Sequence, residues 1–278
     1  MIVFPNCKIN LGLYISAKRP DGYHNLETVF YPLALREPLE IVESTSTQIH
    51  ISGKEISGIA ADNLIMKAYH LLKTHFPHKV MDYAIYLHKV LPMGAGLGGG
   101  SSDAAFMLML INRHAALGLN DAQLAQYALQ LGSDCPFFIY NRPMLAKGRG
   151  EQLEPIALDL SAYAIHLICP KLHIATADAF KKVIPRPAPV NLAILPTIPI
   201  SQWRELLSND FESPLFALHP VLNQIKQALY NAGALYAAMS GSGSSLYGIF
   251  PKGTKASIST PIQAEQFYLE ELKPGGHL

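Results

Sequence analysis

The chain has 278 residues, enough for one large domain or two ordinary ones; 49% are hydrophobic and 15% charged, which excludes a disordered chain. With 22 basic and 21 acidic residues the net charge is +1, and no basic block stands out to neutralise a nucleic-acid backbone. The longest apolar run, Ala104 to Ile111, falls far short of the ~18 residues of a membrane span, and Pro5 and Lys8 interrupt any leader pattern. Cys7, Cys135 and Cys169 have neither disulfide nor metal-ligand spacing, so a reducing cytoplasm is expected, with no nucleic-acid or membrane partner and no metal site of its own.

From the N-terminus, Ile9, Leu11, Leu13 and Ile15 alternate with Lys8, Asn10, Gly12 and Tyr14, which predicts a half-buried strand with Lys8 and Asn10 on its polar face. Pro20-Asp21-Gly22 signals a turn, and Tyr23 to Leu33 resumes an extended pattern. Ile41 to Ser52 reads as another strand region. Asp62-Asn63 precedes a helical stripe of Leu64, Ile65, Ala68, Leu71 and Leu72, and Tyr83 to Val90 alternates again. A helix is expected from Ala104 to about Leu117, capped by Ser101 or Ser102 with Asp103 in its first turn, and a second from Asp121 to Leu131, ended by Gly132. Ala164 to Cys169 reads as strand, Pro185 to Pro199 as loop, and Ser201 to Leu207 and Val221 to Asn231 as helices. Tyr236 to Met239 and Leu246 to Phe250 flank a Gly/Ser turn. A division is expected near Glu151, giving segments 1–150 and 151–278.

The densest signal is Pro92-Met93-Gly94-Ala95-Gly96-Leu97-Gly98-Gly99-Gly100-Ser101-Ser102. Five glycines in seven positions lose much backbone entropy on folding, whereas a plain turn needs one or two. Bare backbone N–H groups converging ahead of a helix N-terminus suit a polyphosphate. A Walker loop would end in Gly-Lys-Ser/Thr, and the triplet here is Gly99-Gly100-Ser101. Gly94-x-Gly96-x-x-Gly99 formally meets a dinucleotide fingerprint, but the acidic residue about 20 positions on is missing. Protein-kinase His-Arg-Asp and Asp-Phe-Gly motifs are also missing.

The remaining pattern, Pro92-x-x-x-Gly96-Leu97-Gly98-x-x-Ser101-Ser102, resembles the nucleotide loop of the GHMP kinases, the family of galactokinase, homoserine kinase, mevalonate kinase and phosphomevalonate kinase. Pro5 to Leu11 resembles that family's N-terminal motif, and Ser240 to Ser245 its C-terminal glycine loop. Arg19-Pro20-Asp21-Gly22-Tyr23-His24, Gly132-Ser133-Asp134-Cys135-Pro136-Phe137-Phe138 and Asn209-Asp210-Phe211-Glu212 resemble one branch. That branch transfers the γ-phosphoryl of ATP to the C2 hydroxyl of a cytidylated methylerythritol, a step toward isoprenoid precursors by the non-mevalonate route. Homoserine- or mevalonate-type acceptors, and a non-catalytic nucleotide sensor, are the competing readings.

The resemblance implies an α+β fold in two domains, a ribosomal S5 domain 2-like N-terminal one holding ATP and a ferredoxin-like C-terminal one, with the small-molecule substrate between them. It implies ATP with Mg²⁺; the oligomeric state stays open. It assigns Asp134 as the catalytic carboxylate, acting as base or as orienting group, and Lys8 as its partner. Pro92 to Ser102 would hold the phosphates, with Ser101 or Ser102 near Mg²⁺, and Asn63 and Lys89 would contact adenine. Asn10 would reach the acceptor hydroxyl; Tyr23 and Phe180 would sandwich cytosine while His24 bonds its edge; Gly241, Ser242 and Gly243 would line the substrate side. Cys7 and Ser133 stand where the family has alanine, and Cys7 beside a cationic lysine is expected to be reactive.

Overall fold

The computed structural model describes residues 1–55, 63–254 and 256–270; Asp62, expected beside the cap of the first helix, lies outside them. Three four-stranded sheets and two groups of helices make up the fold, as an α+β chain should.

The first sheet runs β1 (Ile2–Val3), β4 (Leu39–Glu43), β6 (Tyr83–Lys89), β5 (Gln48–Gly53), antiparallel except for the parallel β5–β6 pair. The expected strand region 41–52 is thus two strands with a turn between. The helices α1 (Leu64–His75), α2 (Gly99–His114), α3 (Asp121–Leu131) and α4 (Cys135–Tyr140) share a core with this sheet, centred on Ile41, Tyr69, Ile85, Leu108 and Phe137. Asn63 caps α1 by accepting from Ile65 N–H at 2.9 Å, and Asn120 with Gln123 closes a reciprocal box at the start of α3.

The second sheet, β2 (Asn6–Lys18), β3 (His24–Arg36), β7 (Met144–Lys147), β8 (Gln152–Pro155), is antiparallel throughout. The half-buried strand expected at Ile9–Ile15 is corrected here. Asn6 to Ile15 is buried on both faces, because one face packs on Leu97 and Leu145 and the other turns into the interior of a cleft. Register shifts near Leu11/Leu13 accompany Gly12 in the left-handed region, φ +64°. The division expected at 150/151 falls in the β7–β8 turn.

The third sheet, β10 (Tyr236–Met239), β11 (Leu246–Pro251), β9 (Tyr163–Pro170), β12 (Ala264–Leu269), is again antiparallel. One face packs on β2 and β3 through Ile165, Leu167, Tyr236, Tyr247 and the fully buried Trp203. The other is covered by α5 (Thr176–Lys182), α7 (Glu212–Leu218) and α8 (Pro220–Asn231). The stretch 185–199, expected as loop, contains a 3₁₀ segment, Leu192–Thr197, capped by Asn191. The expected helix 201–207 is split into 3₁₀ Ile200–Gln202 and α6 (Trp203–Leu206).

Candidate active site

A cavity of about 900 Å³ lies where the glycine loop, β2, the β2–β3 turn, α5 and the β10–β11 turn meet. Pro92 through Ser101 line one side of it without a gap.

The loop is shaped by positions where no side chain fits. A Cβ on Gly96 would stand 1.9 Å from the Ser240 carbonyl oxygen, and one on Gly98 2.9 Å from the Phe138 ring. Both residues sit at positive φ, +77° and +72°. Gly98, not Ser101 or Ser102, is the N-cap of α2 and offers no capping side chain. The expected serine cap is therefore corrected: the left-handed turn at Gly98 starts the helix inside the glycine run. The first intrahelical bond is Ser102 N–H to Gly98 O at 2.9 Å, so the N–H groups of Gly99, Gly100 and Ser101 precede any helical acceptor. They carry the positive end of the helix dipole into the cavity.

Lys8 joins this loop to the rest of the site. Its ammonium donates to Asn10 Oδ1 at 2.7 Å and to Gly96 O at 3.1 Å, and lies 3.6 Å from Asp134 Oδ2. It also sits 5.0 Å from the centre of the Phe30 ring. Burial lowers the lysine pKa, and the Asp134 carboxylate works against that shift. Asp134 is the N-cap of α4 without a capping bond from its side chain, which leaves the carboxylate facing the cavity, about a third exposed. Asn10 is oriented by donating to Thr28 Oγ1 at 3.1 Å.

The opposite end is aromatic and basic. Tyr23 stands exposed after the turn, with the Arg149 guanidinium 5.0 Å from its ring. Tyr23 and Phe180 both line the cavity; the ring stacked on Phe180 is His24, at 5.0 Å and 24°, and Phe180 in turn meets Phe211 edge-on. Burial, and then Lys18, lowers the His24 pKa, which favours neutral imidazole. Gly241 and Ser242 line the cavity, with Ser242 Oγ 3.1 Å from Thr176 Oγ1; Asn209 fixes this turn by donating to Met239 O and Gly241 O, each at 2.8 Å.

Several expected contacts fall outside the cavity. Lys89 is corrected most plainly. Its fully buried ammonium is bound by Glu37 Oε1 at 2.5 Å and Asp103 Oδ2 at 2.6 Å, which leaves it no approach to adenine. Asn63 spends its side-chain oxygen on the α1 cap. Ser102 is turned into the core with its hydroxyl unpartnered among the described residues, and Gly243 is buried beside Met239. Cys7 is wholly buried and burial pushes its thiol well up, so the expected reactivity is corrected as well. Arg149, Lys18 and Lys181 line the cavity and were not singled out by sequence. Gly148-Arg149-Gly150, an arginine held between glycines, was the available signal.

Comparison with known proteins bears on the whole chain. The GHMP kinases N terminal domain profile matches residues 63–142, and the GHMP kinases C terminal profile residues 196–268. The chain belongs to the GHMP kinases, a family of small-molecule kinases. It is 51% identical, over 91% of its length and 94% of the relative's, to the 4-diphosphocytidyl-2-C-methyl-D-erythritol kinase of Bacteroides thetaiotaomicron. It is 50% identical to that of Bacteroides fragilis, over 98% of this chain and 100% of that one. A crystal structure of 4-(cytidine 5'-diphospho)-2C-methyl-D-erythritol kinase superposes with a TM-score of 0.75 at 31% identity, covering 90% of each chain. Mevalonate kinase from Methanococcus jannaschii shares the fold, TM-score 0.71 at 14% identity over 98% of each chain. Among the described residues no helix is long and apolar enough to cross a membrane.

Proposed function

We propose that the chain transfers the γ-phosphoryl group of ATP to the C2 hydroxyl of 4-diphosphocytidyl-2-C-methyl-D-erythritol, in the non-mevalonate route to isoprenoid precursors. The observation that carries this reading is the Lys8–Asp134 pair, 3.6 Å apart, standing between the glycine loop and the aromatic, basic end of one cavity. A phosphoryl donor on one side and a nucleotide-like acceptor on the other would meet there.

Phosphoryl transfer through a loose transition state needs alignment and charge neutralisation more than covalent help. The N–H groups of Gly99 to Ser101 would receive the phosphates. Asp134 would accept or orient the acceptor's hydroxyl proton. Lys8, held by Asn10 and Gly96, would keep that carboxylate ionised and face the transferring group. Mg²⁺, when bound with ATP, supplies charge neutralisation between the phosphates. For an ion that arrives on the nucleotide, Ser101 is the hydroxyl at hand in the cavity lining. Cytosine would take the place against Phe180 that His24 holds, which frees the imidazole for the edge of the base. The domain division is drawn after Pro155, because β8 is a strand of the second sheet. Three unpaired, buried cysteines support a cytoplasmic enzyme.

The test is ADP release by the purified chain with ATP, Mg²⁺ and a panel of acceptors. Turnover of the cytidylated methylerythritol above all others is expected. Turnover of homoserine or mevalonate, with none of the cytidylated compound, would sink the reading.

A further inference from the structure

The acceptor of the proposed reaction has a fixed order: base, ribose, diphosphate, polyol. If the base lies at Tyr23, His24 and Phe180 and the polyol hydroxyl at Asp134, the diphosphate must span the space between. The β7–β8 turn borders that space through Arg149. Gly150 N–H closes the turn onto Lys147 O at 3.1 Å, and Gly148 O accepts from Leu26 N–H of β3 at 2.7 Å. At one end of the turn the Arg149 guanidinium lies over Tyr23. At the other, Gly150 passes so close to Asp134 that an added Cβ would stand 3.3 Å from Oδ1. Arg149 thus stands at the base end, on the turn that runs on to Asp134.

Charge points the same way. The cavity lining holds Lys8, Lys18, Arg149 and Lys181 against a single carboxylate, Asp134, in a chain that is nearly neutral overall. Lys8 is committed to Asn10, Gly96 and Asp134, and Lys181 to Asp178 at 2.8 Å. Lys18, at the end of β2 and paired in register with His24, has no carboxylate within 4.0 Å among the described residues. The Arg149 guanidinium lies over Tyr23, has a loose contact with Glu151, 3.6 Å from Nε, and acts on the Asp21 carboxylate at longer range. Both cations therefore keep donors beside the base end, where they would offset the repulsion of a diphosphate by Asp134.

We propose that Arg149, assisted by Lys18, binds the diphosphate link of the acceptor and so selects nucleoside-diphosphate-linked polyols over free polyols and over cytidine itself. This rests on the functional reading above. The planar guanidinium presents paired donors to phosphate oxygens, which an ammonium does not, so Arg149 dominates and Lys18 tunes.

The experiment uses the full-length enzyme with cytidine, CMP and CDP as competitive probes, beside steady-state kinetics for both substrates. In the wild type CDP is expected to inhibit more strongly than CMP, and CMP more than cytidine. Arg149→Ala is expected to raise KM for the acceptor on the order of 10- to 100-fold, leave KM for ATP in place, and collapse the CDP-over-cytidine preference. Arg149→Lys recovers part of that preference, and Lys18→Ala, at an exposed strand end, shows the same signature more weakly; unchanged KM for ATP reports an intact fold. If Arg149→Ala and Lys18→Ala both keep the wild-type CDP preference and acceptor KM, the diphosphate assignment is overturned while the functional reading stands. If no cytidine compound competes in the wild type, both are overturned.

Discussion

The two ends of the cavity are built by different means. The end proposed for ATP is made of backbone: Gly96 and Gly98 at positive φ, then three N–H groups at the start of α2, all within one short run of chain. The end proposed for the acceptor is made of side chains drawn from far apart, Tyr23 from the β2–β3 turn, His24 from the start of β3, Arg149 from the β7–β8 turn, Phe180 from α5. A phosphate can be held by any peptide group, so its site reduces to conformation, and conformation is written in glycines. A base and a linker need particular side chains at particular points, which only the folded chain brings together.

The hinge between the two ends is where a single change should cost most. Asp134→Ala removes the carboxylate and leaves the loop untouched. We expect kcat to fall roughly 10²- to 10⁴-fold with ATP still bound, read by ADP release and by nucleotide titration. Unchanged turnover would take Asp134 out of the mechanism.

Gly96→Ala attacks the backbone end alone. Its Cβ would meet a carbonyl oxygen at 1.9 Å in a conformation that L residues rarely adopt, so either the loop or the β10–β11 turn must move. A loss of about 1–3 kcal/mol in unfolding free energy is expected, together with a higher KM for ATP. The contrast between the two ends would fail if the acceptor KM rose instead. Phe180→Ala does the converse: removal of one stacking face is worth about 1–3 kcal/mol, or roughly 5- to 150-fold in the acceptor KM, with the KM for ATP held.

The same contrast explains what the sequence made legible. The glycine run and the helix Asp121–Leu131 with Gly132 at its end could be read, because each is a local pattern; the α+β class came with the resemblance. The start of α2 was misplaced by the serines, since a capping hydroxyl is the usual signal and here a left-handed glycine replaces it. The burial of the Lys89 ammonium is illegible for a different reason. Lys89 lies three residues before the loop begins at Pro92, while Glu37, the partner that buries it, is 52 positions away. Arg149 was passed over because nothing near it in sequence says that its turn lies between Tyr23 and Asp134. Short elements such as α4, β7 and β8 left too few residues to show a period.

The Lys89 cluster also shows that the backbone end rests on side chains of its own. Glu37 Oε2 accepts from Val90 N–H and Leu91 N–H, both at 2.8 Å, while Lys89 reaches Asp103 in α2. Strand, loop entrance and helix are thereby tied at one buried point. Burial pushes the Asp103 carboxyl up to about 8; Lys89 opposes the shift and Glu37 adds to it. The unfolded chain would titrate this group near 3.8, so between about pH 4 and 8 the folded state binds the extra proton. Stability from Asp103 is then fully present below that window and is lost as pH rises through it. Asn resembles the protonated acid in shape and charge, so Asp103→Asn should remove that slope. Of these variants it is expected to change kcat least. Urea unfolding at a series of pH values from 4 to 8 reads the difference directly, and parallel curves for the two proteins would remove Asp103 as the source.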